Sequence, residues 1–175
     1  MKKLIFFAFS LVFTNWMNAQ CNTTVSTEGD ARISQAKYEQ FHKNEDLENG
    51  LQALYISVIY IKKPSQTSLF IEVVSTKSHN KELVVPRKLI FNFTDGSSLD
   101  LIADKYDKPN MNSPLPRYSA DRCSFTLNSG DKPILANKSI STITVIDTRT
   151  SASIVAKPFK GLVQEQIGCV IRDAM

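Results

Sequence analysis

The chain has 175 residues, 22% of which are charged, and a formal net charge of +4. The balance is mildly basic and the lysine and arginine residues form no dense block, which argues against nucleic acid as a partner. The length suits a single domain with its own hydrophobic core.

The first residues have the layout of a secretory signal peptide. The basic start Lys2-Lys3 precedes an almost unbroken apolar run at 4–13, and a polar stretch follows at 14–20. The apolar run is about half as long as the roughly 20 residues that a membrane-spanning helix needs. Loss of Lys2 and Lys3, with no acidic residue, would lower the net charge from +4 to +2.

Cleavage is expected after Ala19, a small residue that suits an ordinary signal peptidase. The chain then divides into a signal peptide at 1–19 and a single β domain at 20–175. Lipid anchoring at Cys21 is the alternative, but Gln20 fits poorly the small residues that precede a lipid-modified cysteine. We therefore expect an exported protein, periplasmic or extracellular, with no later membrane span.

Three cysteines, Cys21, Cys123 and Cys169, are candidates for a disulfide in an oxidising compartment. A Cys123–Cys169 bond would close a long loop and contribute roughly 3–4 kcal/mol in the chain-entropy model. A Cys21–Cys169 bond would join the two ends of the chain instead. Cys123 also lies between apolar positions, where a buried thiol behaves as a small hydrophobic side chain.

The first half of the chain favours β-strands. Residues 21–30 are polar and are typical of an extended arm or an edge strand, and residues 31–41 favour a strand only slightly. Residues 51–61 are apolar on both faces, which predicts a central strand covered on both sides. After a turn at Pro64, residues 69–75 predict the next strand.

The stretch 87–103 predicts a β-hairpin. Apolar and polar residues alternate on both sides of Asp95-Gly96, the strongest short-range hairpin signal. Gly96 can adopt the positive φ that a two-residue turn demands. The apolar positions of this hairpin are Leu89, Phe91, Phe93, Leu99 and Leu101.

The rest of the chain continues this pattern. Residues 122–128, 140–147 and 152–157 predict three further strands, and 134–138 predicts a short connection. After Pro158, a residue suited to a first helical turn, the apolar positions recur at helical spacing. They are Phe159, Leu162, Val163, Ile167 and Val170. We therefore predict a mainly β fold, an antiparallel two-layer β-sandwich of about seven to eight strands with a short C-terminal helix; an α+β fold is the alternative.

The sequence lacks a recognisable catalytic or metal-binding constellation. His42 and His79 both fall in predicted polar loops, with no local nucleophile and acid to complete a catalytic site. The cysteines are far apart and no histidine pair exists, so we expect neither a zinc site nor a cofactor.

The proline-rich stretch 104–121 is long for a passive connection, and such loops often carry function. Tyr106 and Tyr118 bracket it, with Arg117 and Arg122 nearby. Tyrosine and arginine anchor interfaces disproportionately. We therefore single out these four residues as candidates for contact with a ligand or partner.

Four segments together resemble a group of small secreted or periplasmic bacterial β-proteins whose signal peptides end in Ala-Gln. They are the Phe93-Thr94-Asp95-Gly96 hairpin, the strand at 123–127, the run at 140–147 and the late Cys169-Val170-Ile171. The likeness covers roughly residues 85–172. It implies a compartment and a β fold; the group has no established activity and so implies no site.

These observations favour an exported, non-enzymatic β domain that binds a protein or glycan at the cell envelope. An enzyme or inhibitor with a site assembled across strands is one alternative. A structural subunit of an envelope complex is the other.

Overall fold

The computed structural model describes residues 22–46, 50–78, 84–107 and 118–175. The expected signal peptide, Cys21, His79 and Arg117 lie outside these described residues. The described chain is mainly β, with two antiparallel sheets and a C-terminal helix, as the sequence predicts. It contains eleven strands, more than the seven or eight expected, and two helices.

The bounds of these elements follow the chain order. The strands are β1 (Thr23–Glu28), β2 (Ala31–Ala36), β3 (Glu39–Asp46), β4 (Gly50–Lys62), β5 (Thr67–Ser78), β6 (Lys88–Phe93), β7 (Ser98–Ile102), β8 (Lys105–Asp107), β9 (Tyr118–Thr126), β10 (Ile140–Ile146) and β11 (Ser153–Ala156). The helices are α1 (Asp131–Asn137) and α2 (Leu162–Ala174).

The larger sheet has seven strands, six of which follow the order β1-β2-β4-β5-β9-β8. The seventh strand, β3, pairs with the first half of β4, whereas β2 pairs with the second half of β4. The smaller sheet has the order β11-β10-β6-β7. One hydrophobic core takes residues from both sheets and from α2, which makes the domain two-layered.

The hairpin β6–β7 forms where the sequence predicts it, but its turn is one residue longer than expected. The N–H of Phe93 donates to the carbonyl of Ser97 at 2.9 Å, and the N–H of Gly96 donates to the carbonyl of Phe93 at 3.1 Å. Thr94, Asp95 and Gly96 therefore form a three-residue loop, and Gly96 takes the positive φ of 83° that such a loop needs.

Strand β4 is central, but only one of its faces is covered by other described elements. Leu54, Ile56 and Val58 are fully buried on the face toward the smaller sheet and α2, which we call the inner face. Tyr55 and Ile59 point to the opposite side and are half-buried. Ala53 and Ser57 on this opposite side are nevertheless buried, although no described helix or strand packs there.

The two helices lie on the inner side of the larger sheet. In α2, Val163 and Val170 are fully buried in the common core. Helix α1 replaces the short connection predicted at 134–138, and its Leu135 is fully buried. Pro133 is compatible with α1 because the first helical turn leaves its N–H groups without intrahelical partners. Within the described chain, no helix has the length and apolar character needed to cross a membrane.

Candidate functional site

The larger sheet has a second face that the strand registers define. Val58 lies opposite Ile71 on the inner face, and the neighbouring pair Ile59–Phe70 therefore points the other way. We call this side the outer face. Its half-buried apolar side chains come from three adjacent strands: Ile33, Tyr55, Ile59, Ile61, Phe70 and Val74.

These side chains stand apart from the hydrophobic core. None of the six belongs to the core cluster or packs against it. The smaller sheet and α2 share that core, and Gln166 of α2 reaches the backbone carbonyl of Lys37 from the inner side. The outer face is thus an apolar sheet surface that no helix or strand of the described chain covers.

A polar cluster interrupts the apolar surface. The hydroxyl of Tyr38 donates a short hydrogen bond to the carboxylate of Glu72, whose other oxygen accepts from Ser124 at 3.3 Å. Beside Glu72 in the ladder, Ser57 is fully buried and donates to the carbonyl of Ala36 at 2.7 Å. Tyr38, which follows β2, is therefore held against the outer face.

Tyr38 acts as a fixed donor in this cluster. Burial, and next the hydrogen bond to Glu72, raise the pKa of the Tyr38 hydroxyl well above its ordinary value. The phenol consequently stays protonated at neutral pH and remains a hydrogen-bond donor. Such a pair can hold side chains in place for contact with a partner. Because the phenol stays protonated, it is a poor general base.

Arg122 adds a positive charge to the same surface. It lies opposite Val74 in the β5–β9 ladder, and its charge acts on the Tyr38 hydroxyl. Its Nε atom is buried and has no hydrogen-bond partner among the described residues. The outer face therefore combines apolar side chains with tyrosine and arginine, the residue types that anchor protein interfaces.

Of the four residues singled out from sequence, Tyr106 and Arg122 lie on opposite faces of the larger sheet. Tyr106 lies opposite Cys123 on the inner side of β9, whereas Arg122, one position earlier, points to the outer face. Tyr118 begins β9 and pairs with Ser78. Arg117 and the side chain of Tyr118 are not among the described parts of the chain, so Tyr106 and Arg122 are the two of the four whose side chains can be placed.

Tyr106 is engaged in a buried network between the two sheets. Its hydroxyl donates to Asp121 at 2.5 Å, and Asp121 is 6% exposed. Arg87 lies over the Tyr106 ring and also pairs with Asp147, from Nε to Oδ1, at 3.4 Å. Burial, and next the bond to Asp121, raise the pKa of Tyr106 to about 12. This network ties the sheets together from within.

A small cavity lies between β2 and α2. Its volume is about 100 Å³, and its lining includes Asn22, Phe159, Gln166 and Cys169. Ligand pockets usually measure roughly 300–1,000 Å³, so this cavity suits ordered water better than a substrate.

The structure separates Cys123 from Cys169. Cys123 is a fully buried thiol in β9, within the common core. The Cys123–Cys169 pairing is therefore not formed, and Cys123 packs as a small hydrophobic side chain. Cys169 lies on α2, where it lines the cavity with Asn22, the residue after Cys21.

Tyr38, Glu72 and Arg87 are among the residues of these clusters that sequence reasoning missed. Glu72 did carry a signal, because it is a lone carboxylate in the middle of an apolar strand. Tyr38 follows β2 and Arg87 precedes β6, and no distinctive sequence pattern marks either residue. No group of three or more histidine, cysteine, aspartate and glutamate side chains that could hold a metal occurs in the described ranges.

Comparison with known protein families, with curated proteins and with solved structures found no match to this chain.

Proposed function

We propose that the chain is an exported domain of the cell envelope that binds another envelope protein through its outer face. One observation carries the proposal: the outer face presents apolar side chains around Tyr38, Glu72 and Arg122, and no described element packs on it. Surfaces of this composition mark protein interaction sites.

The N-terminal sequence supports the compartment. Two lysines and the apolar run at 4–13 have the layout of a signal peptide, and Ala19 suits cleavage. The resemblance of residues 85–172 to small envelope proteins points the same way. The proposed mature chain begins at Gln20, two residues before the first described residue.

The chemistry of the outer face favours a protein over a glycan. Its apolar side chains are mostly aliphatic, with Ile33, Ile59 and Ile61 side by side across β2 and β4. Aliphatic side chains gain most from burial against other apolar side chains, at about 25 cal/mol per Å². A partner with an apolar strip and an acidic group facing Arg122 would complement this surface.

Export would also allow a disulfide, and we propose the pair Cys21–Cys169. Cys169 lines the cavity beside Asn22, which places the start of the described chain next to α2. The hydrogen bond from Thr23 to Asp173 holds β1 to the same helix. A bond between Cys21 and Cys169 would reinforce this contact between the two ends of the chain.

A crosslinked affinity pull-down from the native envelope, read by mass spectrometry, tests the binding function. The informative variant is Phe70→Lys, which places a charge among the apolar side chains of the outer face. Ile102→Lys is the matched control, because Ile102 is 62% exposed on β7 of the smaller sheet. Circular dichroism and thermal unfolding confirm that each variant is folded.

We expect one stoichiometric envelope protein that is retained by the wild type and Ile102→Lys and lost by Phe70→Lys. Recovery of the same proteins by all three chains would contradict binding at the outer face. Recovery of glycan without protein would contradict a protein partner. Turnover of a substrate that a single substitution abolishes would replace the binding function with an enzymatic one.

A further inference from the structure

Strand β1 forms an end of the larger sheet, and its backbone hydrogen-bonding groups alternate between β2 and the outside. The N–H of Lys37 donates to the carbonyl of Asn22, which makes this a hydrogen-bonded pair of the antiparallel ladder. Thr24, Ser26 and Glu28, the alternate residues after Asn22, therefore form the backbone hydrogen bonds to β2. The N–H and C=O groups of Thr23, Val25 and Thr27 point away from β2, and no described strand pairs with them.

The other edge strands of this sheet carry features that discourage pairing with another chain. Strand β8 has three residues, two of them charged. Strand β3 is rich in charged residues, and its register shifts at a bulge between Gln40 and His42. Short strands, charges and bulges are the usual protection of a sheet edge.

Strand β1 lacks this protection. It has six residues in unbroken register with β2 and contains no lysine, arginine or proline. Its single charged residue, Glu28, stands at the end of the strand. Val25 is the middle one of the three residues whose backbone groups point away from β2, and it is 44% exposed. Among the edges described for the larger sheet, β1 therefore best suits the addition of another strand.

The sequence of β1 indicates which strand would fit. Thr23-Thr24-Val25-Ser26-Thr27 is nearly palindromic about Val25. A two-fold axis at Val25 would pair an antiparallel copy with Val25 opposite Val25, threonine opposite threonine, and Thr24 opposite Ser26. Cross-strand pairs of threonine with threonine or serine stabilise antiparallel sheets. Glu28 would face Asn22 of the other copy, so no like charges would meet.

We propose that the chain self-associates through β1, with the β1 strands of two copies pairing antiparallel about Val25. The outward N–H groups of each copy donate to the outward C=O groups of the other. The two larger sheets become one continuous sheet, and the interface is isologous, as two-fold symmetry requires. This inference goes beyond the proposed function and uses none of the outer-face side chains.

Sedimentation velocity over a range of concentrations tests the proposal, with the full chain produced in a bacterial host with its own N-terminal segment. We expect a concentration-dependent dimer that Val25→Lys weakens at least about tenfold, because two lysines would meet at the axis. Val155→Lys is the matched control. Val155 is 62% exposed on β11, the edge strand of the smaller sheet, and its replacement leaves association unchanged.

A cysteine pair tests the register. Thr24 and Ser26 of opposite copies would form a non-hydrogen-bonded pair, whose Cα atoms lie about 4.5 Å apart and suit a disulfide. The double variant Thr24→Cys with Ser26→Cys is expected to form a covalent dimer on mild oxidation, and Thr24→Cys alone is expected to form far less. Equal crosslinking by the single and double variants would overturn the proposed register.

Two results would overturn the self-association itself. One is a chain that stays monomeric at every concentration. The other is an equal effect of Val25→Lys and Val155→Lys, which would place the contact elsewhere. Phe70→Lys is expected to leave self-association unchanged, so failure of the β1 contact and failure of partner binding at the outer face are separate outcomes.

Discussion

The guanidinium carbon of Arg87 lies 4.6 Å from the centre of the Tyr106 ring. Arg87 leads into β6 of the smaller sheet, and Tyr106 belongs to β8 of the larger one. Arg87 also pairs with Asp147, and Tyr106 donates to Asp121. The contact between Arg87 and Tyr106 therefore joins an ion pair of the smaller sheet to a hydrogen bond of the larger sheet.

Removing one hydroxyl from this network should weaken the fold. Tyr106→Phe keeps the ring beneath Arg87 but deprives Asp121, which is 6% exposed, of its phenol donor. We expect a loss of about 1–3 kcal/mol in the free energy of unfolding, measured by urea denaturation. Ser141→Ala is the control, since its bond to the carbonyl of Asn92 is exposed and should contribute less than about 0.5 kcal/mol. Equal losses for both variants would contradict the importance of the buried network.

The same hydroxyl should make stability depend on alkaline pH. The pKa of Tyr106 is raised from 10.0 to about 12, chiefly by burial and then by the bond to Asp121. As the pH rises, Tyr106 therefore loses its hydroxyl proton at a lower pH in the unfolded chain than in the folded chain. The stabilisation is fully present below pH 10.0 and is lost as the pH rises through about 12.

Urea midpoints measured from neutral pH to about 12 check this dependence. The wild type should lose more stability across this window than Tyr106→Phe, which has no proton to release at that position. The pKa of Tyr38 is raised in the same direction, so part of the decline remains in Tyr106→Phe. Parallel curves for the two chains would show that Tyr106 titrates as it does in the unfolded state.

Two phenylalanines provide a matched test of the core. Phe91 is fully buried between the sheets, whereas Phe159 is 51% exposed. Phe91→Ala should cost about 3–5 kcal/mol in the free energy of unfolding, because it leaves a cavity that packed neighbours fill only partly. Phe159→Ala should cost far less. Similar losses by urea denaturation would contradict a core centred on Phe91.

The cysteines should differ in chemical reactivity. Cys123 is fully buried, so an alkylating reagent should modify it only after the chain is unfolded. If Cys21 and Cys169 pair as proposed, mass spectrometry of the unreduced, unfolded chain should show a single modified cysteine. Cys169→Ser should then lower the free energy of unfolding by up to about 5 kcal/mol. Alkylation of all three cysteines without a reductant would disprove the pairing.

The sequence predicted those strands that bury the side chains of one face fully in the core. Leu89, Phe91 and Phe93 occupy every second position of β6 because one face of this strand lies in the core. Strands β1 to β3 were harder to predict because they lack a strong apolar alternation. Their structure depends on the pairing of β1 with β2 and of β2 and β3 with β4, and a local apolar pattern does not reveal that pairing.

The candidate site was predicted only in part, for a physical reason. Tyr106 and Arg122 flank one long connection, and their nearness in sequence suggested a common surface. Which face a side chain occupies depends on strand register, and a shift of one residue reverses it. Arg122, which was singled out from the sequence, lies on the outer face, but the sequence did not show that Tyr38 and Glu72 accompany it there.

The bond from Thr23 to Asp173 spans 150 positions of the chain. Strand β1 is among the first described segments to leave the ribosome, whereas α2 ends at Ala174 and is the last. Because α2 shares the core with both sheets, the nascent chain cannot complete its packing before α2 has been synthesised. If the chain is exported as proposed, it should stay loosely packed until α2 appears, a state that suits passage of an unfolded chain through a narrow translocation channel.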